Sequence, residues 1–483
     1  MISNKNFKLY DKNNKLSSKD FLKEVAFFSY MIRKISIGKQ AFVLCIYNRS
    51  VHNIIIPFSI WNTENIYLPI DTYIPEEKLR SIINNHKISI IISDNLNIKK
   101  FKLSNLNLNV INIDDSKFND QYSCPTNFNF NLENIAYCIF TSGTTGNPKG
   151  VLIKFLSLIS RIRWQKKALC NSKNSFFIHK TSTSFDVSLW EIFLPVYCDA
   201  GVYVCDEKES IHPYRLNSII TNYNVTDIHF IPSMLHNFLK FNHYIPKGLS
   251  NIVCSGEELK PYHFNSLIDC PFVNLWNFYG PTETTIDVLY FRVNLKTRNP
   301  KIPLGKSVND TNYKLISYDK NNSNEITYKL LISGKLLSPG YLNDTRLTEK
   351  KFYIIDGIRH YDTGDLVTIS DNEIYFYSRV DNQIKLNGIR IEINEIEKTI
   401  SQCLGDAFVL VLPLKLDENK IILAAFINSE PKSNKFLLAK FTRLLDASFF
   451  PKVLLYSDTT PRLSNGKINL NKINQILYEL TND

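Results

Sequence analysis

The chain has 483 residues, 44% of them hydrophobic, which is too long for one ordinary core and ample for roughly two to four packed domains or subdomains. Its 57 Lys and Arg against 46 Asp and Glu leave a net charge of +11, but the lysines are scattered through Asn- and Ile-rich sequence with no basic run, which excludes a nucleic-acid arm. No apolar run approaches the roughly 18 residues that cross a bilayer, and the start of the chain (Asn4, Lys5, Asn6, Lys8) is too polar for a secretory signal. Nine scattered cysteines, odd in number and without a CxxC pair, read as reduced thiols of a cytoplasmic protein.

In chain order, Ser18–Met31 reads as a capped amphipathic helix, and Phe42–Tyr47 and Ser89–Ser93 as buried strands. Such alternation over residues 17–130 predicts a doubly wound α/β layer. The style continues over 134–310, with Asn251–Val253 and Phe272–Leu275 as short strands leading into loops. Between 312 and 377 the strands Tyr313–Ser317, Tyr328–Ser333 and Glu373–Tyr377 predict a small β subdomain. After Asp381 a strand–helix pattern follows, with Asp406–Leu412, Ile421–Asn428 and a helix near Lys435–Asp446. The expected architecture is a large multi-subdomain α/β core over 1–380 and a small mobile α+β domain over 381–483.

The most informative segment is Thr141-Ser142-Gly143-Thr144-Thr145-Gly146-Asn147-Pro148-Lys149-Gly150, directly after the apolar run Ile135–Phe140. Glycines at the end of a buried strand expose bare N–H groups, and hydroxyls with one ammonium complete a cradle for phosphate oxygens. It is not a Walker A loop, because Pro148 stands where that loop has glycine before its lysine. The segment resembles the phosphate-binding signature of the adenylate-forming superfamily: acyl-CoA synthetases, luciferases and the adenylation domains of nonribosomal peptide synthetases. The resemblance spans nearly the whole chain.

Asn277-Phe278-Tyr279-Gly280-Pro281-Thr282-Glu283 matches a second family motif. It implies that Asn277 and Tyr279 hold adenine, Thr282 meets the α-phosphate and Glu283 binds Mg²⁺. Tyr361-Asp362-Thr363-Gly364-Asp365 resembles the ribose motif, with Asp365 accepting from both hydroxyls. Ser378-Arg379-Val380-Asp381 resembles the hinge, where Arg379 touches the nucleotide, as does Phe376 nearby, and Asp381 is the pivot. Pro461–Lys467 resembles the motif that carries the catalytic lysine, here Lys467. Three departures are local: Ser378 replaces a glycine, Tyr328-Lys329 a Gly-Glu pair, and Lys154 a histidine.

The resemblance implies a two-step reaction with ATP and Mg²⁺: a carboxylate forms an acyl adenylate, and a thiol then displaces AMP. Ser184–Glu191 matches the motif of the amino-acid-activating branch, in which Asp186 pairs with the substrate α-ammonium. The pocket carried over by that branch is Asp186, Val187, Trp190, His229, Val253, Ser255, Phe278, Ile286 and Asp287, closed by Lys467, and it resembles a serine pocket. Bulky Trp190 and Phe278 limit depth, while His229 and Asp287 can donate to and accept from one hydroxyl. No carrier domain follows Lys467, so the expected acceptor is phosphopantetheine on a separate carrier protein, with room for a small helper protein. A D-alanyl-carrier ligase or a CoA ligase of a small acid is the rival enzyme. Intact Lys149, Glu283, Asp365 and Lys467 argue against a non-catalytic ligand-binding member.

Overall fold

The computed structural model describes residues 6–36, 38, 40–115, 128–141, 148–169, 175–242, 244–296, 301–318, 326–380, 383–386, 389–405, 407–416, 421–462 and 468–481. Two compact units divide the chain. The first takes residues 1–72, 88–140 and 150–380, and the second takes 73–87, 141–149 and 381–483.

The first unit carries three sheets. The nine-stranded one runs in the order Lys306–Ser307, Leu289–Val293, Asn274–Tyr279, Asn251–Cys254, Asp227–Phe230, Phe176–His179, Gly201–Val204, Lys8–Tyr10 and Lys15–Ser17. Its inner pairs are parallel and its outermost pairs antiparallel. Strands such as Ile-Val-Cys at 252–254 are apolar throughout because both faces are covered. A seven-stranded sheet places Ile135–Thr141 and Lys149–Lys154 side by side, so the phosphate-loop segment joins two neighbouring strands. The third sheet pairs Thr311–Tyr318, Thr327–Gly334, Ile358–Ser370, Phe352–Ile355 and Glu373–Arg379, all antiparallel.

Several predicted bounds shift. The first helix is Ser18–Ile35, a turn longer than its apolar pattern, with Ser17 and Asp20 forming a reciprocal capping box at its start. Arg33, past the predicted end, donates to the Asn62 carbonyl at 2.9 Å and holds the added turn. The strand expected at Phe272–Leu275 starts at Asn274, because Val273 closes a turn onto Cys270, and it runs on to Tyr279. The second motif is therefore strand as far as Tyr279, and only Gly280 onward is loop. The late helix is Asn434–Phe441, followed by turns.

In the second unit, Phe408–Lys415, Ile421–Asn428 and Val453–Tyr456 form a three-stranded sheet. Leu423, Ala425 and Ile427 face a core shared with the helices Ile393–Cys403 and Asn434–Phe441, and Ala424 and Phe426 face Leu470–Glu479. The period of two along one strand thus covers both faces with helices.

Cys45, Cys138, Cys205 and Cys254 are buried free thiols of the first unit. Among the described residues no helix is long and apolar enough to cross a membrane.

Candidate active site

The nucleotide motifs converge within the first unit. Tyr279 ends its strand with its hydroxyl donating to Asp365 Oδ2. Arg379, in register with Asp365 on the neighbouring strand, donates to Oδ1 and reaches the Thr363 carbonyl at 3.1 Å. The Asp365 carboxylate is thus held by two donors, one on each oxygen, and its backbone N–H donates to Thr363 Oγ1 at 3.0 Å. Asn277 Nδ2 donates to the Pro303 carbonyl at 2.8 Å, and half-buried Phe376 packs against the main core.

Of the phosphate loop, Ser142, Gly143, Thr144, Thr145 and Gly146 lie outside the described residues, as do Asp381 and Lys467. Within the second unit, Lys149 Nζ lies 3.5 Å from Glu392 Oε1.

Glu283 is 1% exposed, and its Oε1 accepts from Tyr341 Oη at 2.8 Å. Among the described residues no group of three or more His, Cys, Asp and Glu could hold a metal. A single hard carboxylate fits magnesium, which commonly takes one or two carboxylates and completes its shell with waters and substrate phosphates.

The substrate-side residues also come together. Trp190, Val253, Phe278 and Ile286 belong to one buried cluster, with Val187 packed against it. Asp186 is not the cap of the following helix: Val187 holds the N-cap position of Ser188–Cys198. Its Oδ2 is buried with no partner. Burial first, then the neighbouring Asp287, push the Asp186 carboxyl up to about 7, although Thr282's side chain hydrogen-bonds it. Thr282 thus sits at Asp186 in this structure. Trp190 lies edge-on to His229, centroids 6.4 Å apart, and its Nε1 is also buried without a partner.

Asp287, expected as a polar group of the substrate pocket, also has a partner within the protein. It is paired: Arg161 Nη2 donates to Oδ2 at 3.1 Å, and Arg161 Nε donates to the Asp287 carbonyl at 2.9 Å. The guanidinium also lies over the Trp164 and Phe278 rings, at 4.7 and 5.4 Å. Thr285 and Ile286, just before it, have φ of 62° and 71°, an unfavourable region for β-branched residues that the surroundings must impose. Thr285 Oγ1, donating to the Leu336 carbonyl at 2.6 Å, holds one side of this loop. Gly280 holds the other, since a Cβ there would lie 2.5 Å from Asp287 Cα.

Sequence reasoning missed four residues: partly buried Thr181, and the buried Arg161, Glu191 as a charge centre, and Tyr137, whose buried hydroxyl has no partner and which lies in the electrostatic field of Asp186, Arg161 and Asp287. Arg161 had one signal: Ser157, Arg161 and Gln165 recur at i, i+4 on one helix and are all buried.

Tyr279, Asp365 and Arg379 gathered on an α/β core, with an Asp186 carboxyl whose buried Oδ2 has no partner, fit the class of AMP-forming ligases. A model of the family described as AMP-binding enzyme matches residues 4–342, and the chain belongs to that family. It is 32% identical over 465 residues to zwittermicin A synthase ZmaJ of Bacillus cereus, covering 91% of this chain and 86% of that protein. It is 28% identical to vanchrobactin synthetase VabF of Vibrio anguillarum, over 95% of this chain but only 17% of that longer protein. The fold matches the Vibrio cholerae adenylation domain AlmE in complex with glycyl-adenosine-5'-phosphate, with a TM-score of 0.84 at 20% identity over 99% and 96% of the two chains. It also matches NpsA-ThdA, an artificially fused adenylation–PCP di-domain from Klebsiella oxytoca, with a TM-score of 0.80 at 19% identity over 98% and 93%.

Proposed function

We propose that the protein activates L-serine as seryl-adenylate and passes the seryl group to the phosphopantetheine thiol of a separate carrier protein in the cytoplasm. The observation that carries this reading is Asp186 Oδ2, buried and without a partner. An unpaired buried carboxylate is costly, and a substrate α-ammonium removes that cost; a fatty or aryl acid does not. Trp190 and Phe278 are bulky and buried, which favours a short substrate side chain, and His229, Ser255 and Asp287 bring polar atoms to the same set. The solved adenylation–PCP fusion supports a carrier as acceptor.

In the first step a serine carboxylate oxygen attacks the α-phosphorus of ATP, and the bond to the pyrophosphate oxygen breaks. No protein nucleophile is needed, so positioning and charge supply the rate. Asp186 orients the amine, Tyr279 and Asn277 the adenine, and Asp365 the ribose, with Arg379 and Phe376 beside the nucleotide. Lys467 would bridge the carboxylate and phosphate as negative charge builds there. Magnesium held by Glu283 would neutralise phosphate charge. In the second step the thiol attacks the acyl carbon and AMP leaves, after the 381–483 domain turns about Asp381.

Amino-acid-dependent ATP–pyrophosphate exchange across twenty amino acids tests this reading. Serine should exceed every other, with Thr or Ala a distant second. Equal rates with Leu would overturn the pocket assignment. Faster transfer to CoA than to a phosphopantetheinylated carrier would overturn the acceptor.

A further inference from the structure

A chain of hydrogen bonds runs from Glu191, the last residue of the Ser184–Glu191 motif, through Thr181, which no motif contains, to the pocket residues His229 and Ser255. Glu191 is fully buried and accepts four donors: His179 Nδ1, Lys180 N and Thr181 N, each at 3.0 Å from Oε2, and Thr181 Oγ1 at 2.7 Å from Oε1. Thr181 Oγ1 also lies 3.4 Å from His229 Nδ1, and His229 Nε2 lies 3.1 Å from Ser255 Oγ.

We propose that Thr181 sets the direction of this relay, so that the pocket presents Ser255 Oγ as an acceptor and selects a substrate side chain that donates a proton. Thr181 is a positioning residue, acting through His229. The inference rests on the serine reading only for the identity of the donor.

Direction follows from counting protons. A hydroxyl has one, and Thr181 gives its proton to Glu191, so its oxygen can only accept from His229 Nδ1–H. Reversing this would leave a buried carboxylate oxygen without its donor, the costliest arrangement for a buried hydrogen-bonding group. Glu191 stays ionised: burial alone would raise it, but the His179 hydrogen bond and the Lys180 ammonium outweigh that and hold it at about 2. His229 is neutral, because burial and then Lys180 lower it to about 3, and a neutral imidazole has one N–H. With that proton on Nδ1, Nε2 is bare and must take the Ser255 proton. Ser255 Oγ is then left with acceptor capacity alone, and the Asp287 carboxylate, ion-paired to Arg161, is likewise no donor. An acceptor at Ser255 Oγ fits a substrate hydroxyl, whereas an alanine methyl has no proton to give it.

The test compares wild type with Thr181→Val, which keeps shape and removes the hydroxyl, and Thr181→Ser, which restores it. In ¹⁵N-histidine-labelled protein, His229 should carry its proton on Nδ1 in wild type and T181S and shift to Nε2 in T181V. In pyrophosphate exchange the serine-to-alanine ratio of kcat/KM should fall roughly tenfold in T181V and recover in T181S, with KM for ATP unchanged. An Nε2–H tautomer in wild type, or an unchanged ratio in T181V, overturns the proposal. If wild type exchanges a different amino acid, the serine reading fails, while the tautomer of His229 still decides the relay.

Discussion

Arg161 and Asp287, 126 positions apart in sequence, form an ion pair at 3.1 Å in which the side chains are 0% and 3% exposed. The same guanidinium holds the Asp287 carbonyl and donates to Gln165 Oε1 at 2.8 Å, so one arginine fixes both the charge and the backbone at the end of the Thr285–Asp287 loop.

Removing one member of such a pair leaves the other charge buried. Arg161→Met should therefore lose roughly 3–5 kcal/mol in urea unfolding, and Arg161→Met with Asp287→Leu should regain much of it without regaining serine activation. Arg161→Lys should rescue little, since an ammonium cannot reproduce the fork to carbonyl and carboxylate.

Asp186 links stability to pH. Its carboxyl is raised from 3.8 to about 7 in the folded protein, chiefly by burial. Between those values the native state keeps a proton that the unfolded chain has released. The stability it contributes is thus present below this window and lost as pH rises through about 7. Asp186→Asn removes that titration, so its stability relative to wild type should climb across the window by up to about 1.4 kcal/mol per pH unit. Urea midpoints at several pH values check this. In the wild type, kcat/KM for serine should rise as pH approaches 7 from below, and Asp186→Asn should be nearly inactive throughout.

Gly280→Ala should deform the pocket wall. The added Cβ would meet Asp287 Cα at 2.5 Å and the Ile286 carbonyl oxygen at 2.6 Å, both backbone atoms that cannot swing aside. Overpacking of this kind costs about 1–3 kcal/mol. Exchange activity with serine should fall further than thermal stability alone explains, read as a rise in KM for serine larger than that for ATP.

The two half-reactions should separate. Lys467→Ala should abolish pyrophosphate exchange yet leave thiolation of pre-formed seryl-adenylate largely intact, and Asp381→Pro should do the reverse. Single-turnover assays of each step decide it, and parallel loss of both steps in both variants would refute rotation about Asp381.

Motif order was enough to bring Tyr279, Asp365 and Arg379 together from three strands, because each motif carries its own strand end or turn. It could not show what lies behind Asp287. Arg161 comes from a distant helix, and its i, i+4 ladder with Ser157 and Gln165 has the spacing of a solvent face while being buried. The Thr181–Glu191 contact was hidden for a similar reason. Glu191 reads as an ordinary first-turn acidic residue until the strand ending at His179 is seen to aim three donors at one of its oxygens. Bounds such as Phe272–Leu275 failed where a turn and a strand are equally apolar.

The four buried thiols give the first unit an internal clock. Burial raises the pKa of Cys45, Cys138, Cys205 and Cys254 well above the ordinary thiol range, so little thiolate forms while the fold stays closed. An alkylating reagent can then reach them only through transient openings, and its rate measures how often each strand lets go. Cys254 sits immediately before Ser255, on the strand that abuts the pocket. Its labelling half-life therefore times the breathing of the pocket-bearing sheet, and ligands that seal the pocket should lengthen it with no probe attached.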